Sequence, residues 1–352
     1  MMGQSARCQR HRNLLFGLVA ILLAGIILLV GCSDTSTSPP PSTQIPFAVP
    51  QRADLLAEIE LAEILDDEDF AELYQAIAAQ SPALPRTLDA ALDNLEYGTG
   101  IDLRDLTHVI VFADAEELVE SMESASGSSP PYWGALVEGE LNENTIIHGI
   151  ESRMGQELAI SSYQNHTLYS LADSHNQGDA LNTAFLAEEQ MVIGTSLAVK
   201  DVIDVTVGLQ EPISGTVYDL YCQLGDALTK LASYVPESLT SQIPAEIPLG
   251  PVNLSMLSFR DVGYTTLALT KSEAIITADV HLEFTNSDSA KTSGQLLWIA
   301  ITASKYIVSD PDIGELLSKV HTSTSSTSVS LTASLTISEI ERLASMILGK
   351  AD

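Results

Sequence analysis

Hydrophobic and polar positions change their spacing several times along the chain, and the changes mark its organisation. Leu14 to Val30 is an unbroken apolar run. Residues 33–50, SDTSTSPPPSTQIPFAVP, show no apolar period and are dominated by Ser, Thr and Pro. Beyond them, short alternating runs and longer runs with helical spacing follow one another to the C-terminus. Residues 53–62 read as a strand, although Leu56 interrupts the alternation. Asp66–Gln80 and Thr87–Tyr97 read as helices, the second stopped by Gly98 and Gly100. Thr107–Ala113 is a buried strand, and residues 121–131 read as a Ser, Gly and Pro loop. Tyr132–Glu140 is a strand and Glu143–Met154 a helix. Leu158–Ser162 and Thr167–Leu171 form a hairpin, and Thr183–Ala187 and Gln190–Ile193 another. A helix capped by Ser196 runs to Val207.

The second half opens with apolar positions at helical spacing from Val217 to Tyr234, read as one long amphipathic helix, and continues through a proline-rich link (Pro236, Pro244, Pro248, Pro251). Strands are expected at Asn253–Phe259, Tyr264–Thr270 and Ala274–Phe284, and helices at Ala290–Ile307 and Ile313–Val320. His321–Ser328 reads as a solvated Ser/Thr linker. Ser328–Thr336 alternates Val329, Leu331, Ala333 and Leu335 with hydroxyl residues, the pattern of a half-exposed antiparallel strand. A last helix, Ser338–Leu348, begins with a capping-box spacing at Ser338 and Glu341. Hairpins interleaved with helices predict an α+β fold, with antiparallel sheets each covered by helices. The similar succession of elements suggests a diverged internal duplication, 53–210 and 211–352, without a clear residue-level repeat.

The N-terminus adds a destination. Residues 1–13 carry Arg7, Arg10 and Arg12 and no acid, and the apolar run ends at Leu29-Val30-Gly31-Cys32. A basic start, an apolar stretch and small residues before a cut site describe a secretory signal. The ending resembles the lipobox of bacterial lipoproteins. That resemblance implies a signal peptide at 1–31, a diacylglyceryl group on the Cys32 thiol, cleavage before Cys32 and acylation of the new amino group. Ser33 after the cysteine implies, by the same resemblance, delivery to the outer membrane in cells that have one. An uncleaved membrane-spanning helix is the alternative, since 17 apolar residues lie at the lower limit for a span. Residues 32–52 then act as a lipidated, proline-containing tether that could hold the body roughly 50 Å from the bilayer. The pattern Gly100-Ile101-Asp102-Leu103 before a strand resembles uncharacterised bacterial envelope proteins and implies nothing about chemistry.

Charge and composition narrow the partners. The chain has 16 basic and 47 acidic residues, a net charge of −31, and loss of the three N-terminal arginines would bring it to about −34. A body that acidic repels phosphate backbones, so nucleic acid is not expected as a partner. Aromatic residues make up 5%, too few for a stacking platform, while 45% hydrophobic residues supply an aliphatic core. With Cys8 and Cys32 assigned to the signal and the anchor, Cys222 is left alone and is expected to be a buried, inert thiol.

No Gly-x-Ser-x-Gly, Ser-x-x-Lys, His-Glu-x-x-His, Cys-x-x-Cys or Walker pattern occurs. Acidic Asp66, Asp67, Glu68 and Asp69 fit a helix start better than a calcium loop. Asp102 and Asp105 precede His108, read as a strand-edge histidine near solvated carboxylates and not as a ligand set. Asp173, His175 and Asp179 share a turn-like loop. They are the single candidate for hard-metal or general-base chemistry, with turn formation the simpler reading. No cofactor, metal or catalytic residue is therefore expected, and Cys32 is the one residue assigned a chemical role. The expected function is a membrane-anchored, exported lipoprotein with a non-enzymatic binding or scaffolding role in the cell envelope, its partners the membrane through Cys32 and an envelope protein. The alternatives are a carrier of a lipid or other apolar ligand, in a pocket between sheet and helices, and a hydrolase.

Overall fold

The alternating segments assemble into one antiparallel sheet of 12 strands in the computed structural model of the chain. The structure describes residues 48–81, 84–123, 130–171, 181–249, 252–307 and 311–348. Cys32, the signal segment and the loop of Asp173, His175 and Asp179 lie outside them.

From the first half come β1 (Leu55–Ile59), β2 (Leu106–Ala113), β3 (Trp133–Gly139), β4 (Ala159–Tyr163), β5 (His166–Leu171), β6 (Leu181–Ala187) and β7 (Gln190–Thr195). From the second come β8 (Thr229–Tyr234), β11 (Val262–Ser272), β12 (Ile275–Phe284), β13 (Val320–Thr324) and β14 (Ser328–Thr336). A separate two-stranded ribbon pairs β9 (Glu246–Leu249) with β10 (Val252–Ser255). The large sheet has the order β13-β14-β12-β11-β8-β1-β2-β3-β7-β6-β5-β4. The helices are α1 (Leu61–Leu65), α2 (Glu68–Gln80), α3 (Leu88–Thr99), α4 (Ala115–Glu123), α5 (Glu143–Met154), α6 (Ser196–Thr206), α7 (Thr216–Cys222), α8 (Glu237–Ser241), α9 (Ser287–Ile307), α10 (Pro311–Ser318) and α11 (Ile337–Leu348). This is the expected α+β architecture, and the two halves share the sheet through the β1–β8 pair.

The halves repeat one path. β1-β2-β3 and β8-β11-β12 each run as three neighbours, after which the chain makes an excursion and returns with β7 beside β3 or β14 beside β12. A short 3-10 turn precedes β2 (Leu103–Asp105) and β11 (Leu257–Asp261) alike. Each third strand ends by donating a backbone N–H to that turn, Glu140 to the Asp105 carbonyl (2.8 Å) and Thr285 to the Asp261 carbonyl (2.9 Å). An asparagine then caps the next helix: Asn142 Oδ1 accepts from Thr145 N, and Asn286 Oδ1 from Ser289 N. The register slips in the same place, between Leu106 and His108 and between Val262 and Tyr264. Superposed on this path, Leu103-Arg104-Asp105-Leu106 corresponds to Phe259-Arg260-Asp261-Val262. The residue-level repeat that the sequence pattern alone did not reveal is this four-residue turn and its downstream asparagine.

Packing follows the pleat, since alternate residues of a strand face opposite sides. Leu56, Ile110, Phe112, Leu136 and Val192 from four strands meet Ala198, Val199, Val202 and Ile203 of α6 and Val217 and Tyr221 of α7. Fully burying each large aliphatic side chain stabilises by about 1.5–3 kcal/mol. A second cluster joins the halves, packing Phe70 and Leu73 of α2 with Leu228, Ile276, Ile337 and Ile340 of the second half.

Several segments depart from the sequence expectation. The long helix expected at Val217–Tyr234 ends at Cys222, and Thr229–Tyr234 is the strand that joins the halves. Gly225, at φ +65°, turns the chain, and β1 and β11 then offer ladder partners on both sides. The expected loop at 121–131 begins within α4. Val320–Thr324 is an edge strand where a solvated linker was expected, its Ser and Thr suiting a half-exposed ladder. Residues 253–259 divide between β10 and the 3-10 turn, and α1 forms where the strand was expected to continue to residue 62. Thr195, not Ser196, occupies the cap position of α6; its hydroxyl donates to the Trp133 carbonyl of the adjacent strand. At α11 the capping pair is Thr336 and Glu339, whose carboxylate accepts from Thr336 N (2.9 Å).

Candidate functional site

Two features stand out: a row of ionisable side chains inside the central sheet and, among the described residues, a bare strand edge at one end of it.

The row follows from register. Glu58 of β1 lies opposite Lys230 of β8, His108 of β2 opposite Glu138 of β3, and Glu138 opposite Gln190 of β7. Ile59 pairs with Val109, which sets Glu60 beside His108. Lys230 Nζ is 3.2 Å from Glu58 Oε2 and 5.1 Å from the centre of the Tyr221 ring. His108 Nδ1 is 3.5 Å from Glu138 Oε2, and Gln190 Nε2 donates to Glu138 Oε1 (3.1 Å). Burial, a hydrogen bond shared with Glu58 and the Glu58 charge push the Glu60 carboxyl up to about 8. Burial holds His108 below its ordinary value, against the pull of Glu138 and Glu58. Glu60 therefore holds a proton at neutral pH while His108 stays uncharged, and the row is a proton-holding brace across the joint between the halves.

His108 is thus buried among Glu138, Glu58 and Lys230, not at a solvated edge. Asp102 caps the 3-10 turn by accepting from Arg104 N (3.0 Å) and pairs with the Arg104 guanidinium. Asp67 caps α2, accepting from Asp69 N (2.8 Å), as the helix-start reading expects. What sequence reasoning missed is Lys271 of β11, whose nearly buried ammonium binds both Asp67 and Asp69. Cys222 is exposed, contrary to the expected buried thiol; it ends α7 while Val217 and Tyr221 take that helix's core positions. Among the described residues no group of three or more His, Cys, Asp or Glu is placed to hold a metal ion. No helix among them is long and apolar enough to cross a membrane.

The bare edge is β4. Its five residues, Ala159-Ile160-Ser161-Ser162-Tyr163, carry no charge and no proline. β4 pairs with β5 in an unbroken register. Gln164 and Asn165 make the connecting two-residue turn, both at positive φ (48° and 67°), as the right-handed twist of a hairpin favours. Ala159 to Ser162 are all exposed, Ile160 to 70%. Tyr163 anchors the strand inward: its hydroxyl donates to Asp204 Oδ2 (2.8 Å), and Lys200 Nζ lies 5.7 Å from its ring centre. Next to the hairpin is an open concavity of about 480 Å³ lined by Leu141, Glu143, Phe185, Leu186, Ala187 and Glu188. Tyr169 of β5 donates to Glu143 on the same side.

No known family model matches the chain. No curated protein matches it either. Among solved structures, crystal form III of TP0453 is similar at a TM-score of 0.47 and 13% identity, over 90% of this chain and 100% of that one. Crystal form I of TP0453 is similar at a TM-score of 0.45 and 13% identity, over 88% of this chain and 98% of that one.

Proposed function

We propose that the chain is an exported lipoprotein, held by lipid on Cys32 to the extracytoplasmic side of a membrane, whose body binds or scaffolds an envelope protein without catalysing a reaction. The anchor rests on the residues Leu29-Val30-Gly31-Cys32 at the end of a basic-then-apolar leader. Two or three acyl chains hold a protein firmly, since each buried methylene contributes about 0.8 kcal/mol. The binding role rests on one structural observation, the uncharged and exposed edge of β4. Proteins usually blunt such edges with charge, proline or a covering element. The ionisable row, by contrast, is internally paired and braces the sheet. The concavity beside β5 is open and carries Glu143 and Glu188 in its lining, which does not favour a carrier of apolar ligands.

Metabolic labelling with a clickable fatty acid tests the anchor. Label on the wild type and none on Cys32→Ser is the expected result, and label persisting on the variant refutes it. A photo-crosslinking residue at position 160 in intact cells tests the binding role. A discrete adduct at 160, absent with the crosslinker at Thr265 within the sheet, is expected. No adduct at 160 removes the binding reading.

A further inference from the structure

Among the described residues the two ends of the large sheet differ in what packs against their last strand. At the β13 end, α9 lies over the strand so closely that a Cβ on Gly294 would sit 2.1 Å from Thr324 Oγ1. At the other end β4 is the last strand in the order. The turn geometry fixes which backbone groups are free there. A two-residue hairpin turn closes with a hydrogen-bonded pair, here Tyr163 and His166, and such pairs then alternate along the ladder. Ser161 and Ala159 therefore bond inward to β5, and the N–H and C=O groups of Ile160 and Ser162 point outward. The free stretch ends at Leu158, whose N–H is taken by Glu151 Oε1 (2.9 Å).

We propose that the β4 edge takes up an extended, cationic segment of a partner protein as a thirteenth strand. Outward N–H and C=O groups in register are matched by another polypeptide backbone, not by an acyl chain. A second copy of this chain fits poorly. Two bodies of net charge −31 would have to meet along five residues, an edge too short to bury the roughly 1,200 Å² of a stable interface. A segment with basic residues on either side of its strand meets the opposite field. Exposed Glu157 precedes β4, Glu143 and Glu151 lie on α5, and the whole chain carries 47 acidic against 16 basic residues. Specificity beyond charge comes from one face. Ile160 lies opposite Tyr169, whose ring meets that of Phe185 edge-on (6.4 Å), so an apolar partner residue beside Ile160 would extend an existing apolar line.

The proposal rests on the binding role above and can fail without it. The probes are synthetic peptides of alternating Val and Thr flanked by Lys, the same peptides flanked by Glu, and a Lys-flanked peptide N-methylated on the amides that would face β4. Binding to the full-length chain in detergent is measured by titration. The Lys-flanked peptide is expected to bind at least tenfold more tightly than the Glu-flanked one, to lose tenfold or more on N-methylation, and to protect the amides of β4 from hydrogen exchange. Ile160→Pro removes one outward N–H and leaves the β4–β5 ladder intact, and should weaken binding at least tenfold. Equal binding of Lys- and Glu-flanked peptides, or indifference to N-methylation, overturns the proposal. Self-association of the chain that the N-methylated peptide leaves intact and Ile160→Pro abolishes would assign the edge to a second copy and overturn it as well. A crosslink at position 160 in cells with no peptide binding leaves the binding role standing and this partner class refuted.

Discussion

Lys230 Nζ lies 3.2 Å from Glu58 Oε2 across the β1–β8 pair, where, among the described residues, the two halves of the sheet are hydrogen-bonded strand to strand. Both side chains are largely buried. Removing one partner leaves the other charge uncompensated in a poorly solvated site, which typically costs 3–5 kcal/mol. Lys230→Met is expected to lower stability by about 3 kcal/mol. Adding Glu58→Gln to it should recover much of that loss. Urea unfolding of the two single variants and the double variant measures the coupling, and strictly additive losses would contradict it.

Glu60 gives the same region a pH dependence. Its folded-state value, about 8, lies above its ordinary 4.5, so the native chain holds a proton that the unfolded chain has released between these values. The stability linked to this group is complete below pH 4.5 and is lost as pH rises through 8. Glu60→Gln should therefore raise the melting temperature at pH 8.5 and change it little at pH 4. Allowing for partial exposure, the gain is about 1–2 kcal/mol. Thermal melts across pH 4 to 9 check it, and a variant equally or less stable than wild type at pH 8.5 counts against the protonated carboxyl.

His108 works in the opposite direction. Its value is lowered by burial, so the unfolded chain binds the proton more readily. Stability linked to it is present above its ordinary value of 6.5 and declines as pH falls below. Replacement by Gln should flatten the acid side of the stability profile below pH 6.5. NMR titration of the imidazole in the native chain reads the same shift directly.

Lys271 is 4% exposed at its side chain and binds Asp69 Oδ2 at 2.6 Å as well as Asp67, fastening the start of α2 to the end of β11. Lys271→Met leaves Asp67 and Asp69 facing each other without a cation. We expect a loss of about 3 kcal/mol at pH 7. Denaturant midpoints of the wild type and the variant at pH 7 test it, and a variant as stable as the wild type counts against the clamp.

Phe112 lies opposite Gly134 in the β2–β3 ladder, and a Cβ on that glycine would come 2.4 Å from Phe112 Cζ. Gly134→Ala should cost about 1–3 kcal/mol through overpacking. Phe112→Leu in the same chain should return part of it, which a double-variant cycle by chemical denaturation reads out.

The repeated turn shows where reading along the chain stops. Asp105 and Asp261 do the same work in the two halves, yet only Arg-Asp is common to the turns, and the caps Asn142 and Asn286 follow at unequal distances. Sequence similarity that thin is visible only once backbone partners align it. His108 is a second case. Its neighbours in the chain, Asp102 and Asp105, suggested a solvated edge, but its neighbours in space come from β1, β3 and β8. No local pattern encodes those cross-strand partners.

Local composition by itself determined the α+β class, the strands with clean alternation such as Ser328–Thr336, and helices with their own caps such as Glu143–Met154. It also carries the expectation of a lipid anchor at Cys32. These follow from short-range physics, in which period, capping and turn residues act within a few positions of one another. The tertiary structure decided that Thr229–Tyr234 is a strand, that twelve strands form one sheet, which carboxyl is protonated, and which edge stays bare. Each of these depends on partners distant in sequence. A strand is stabilised by the ladders on either side of it, and a charge by the groups that replace its water.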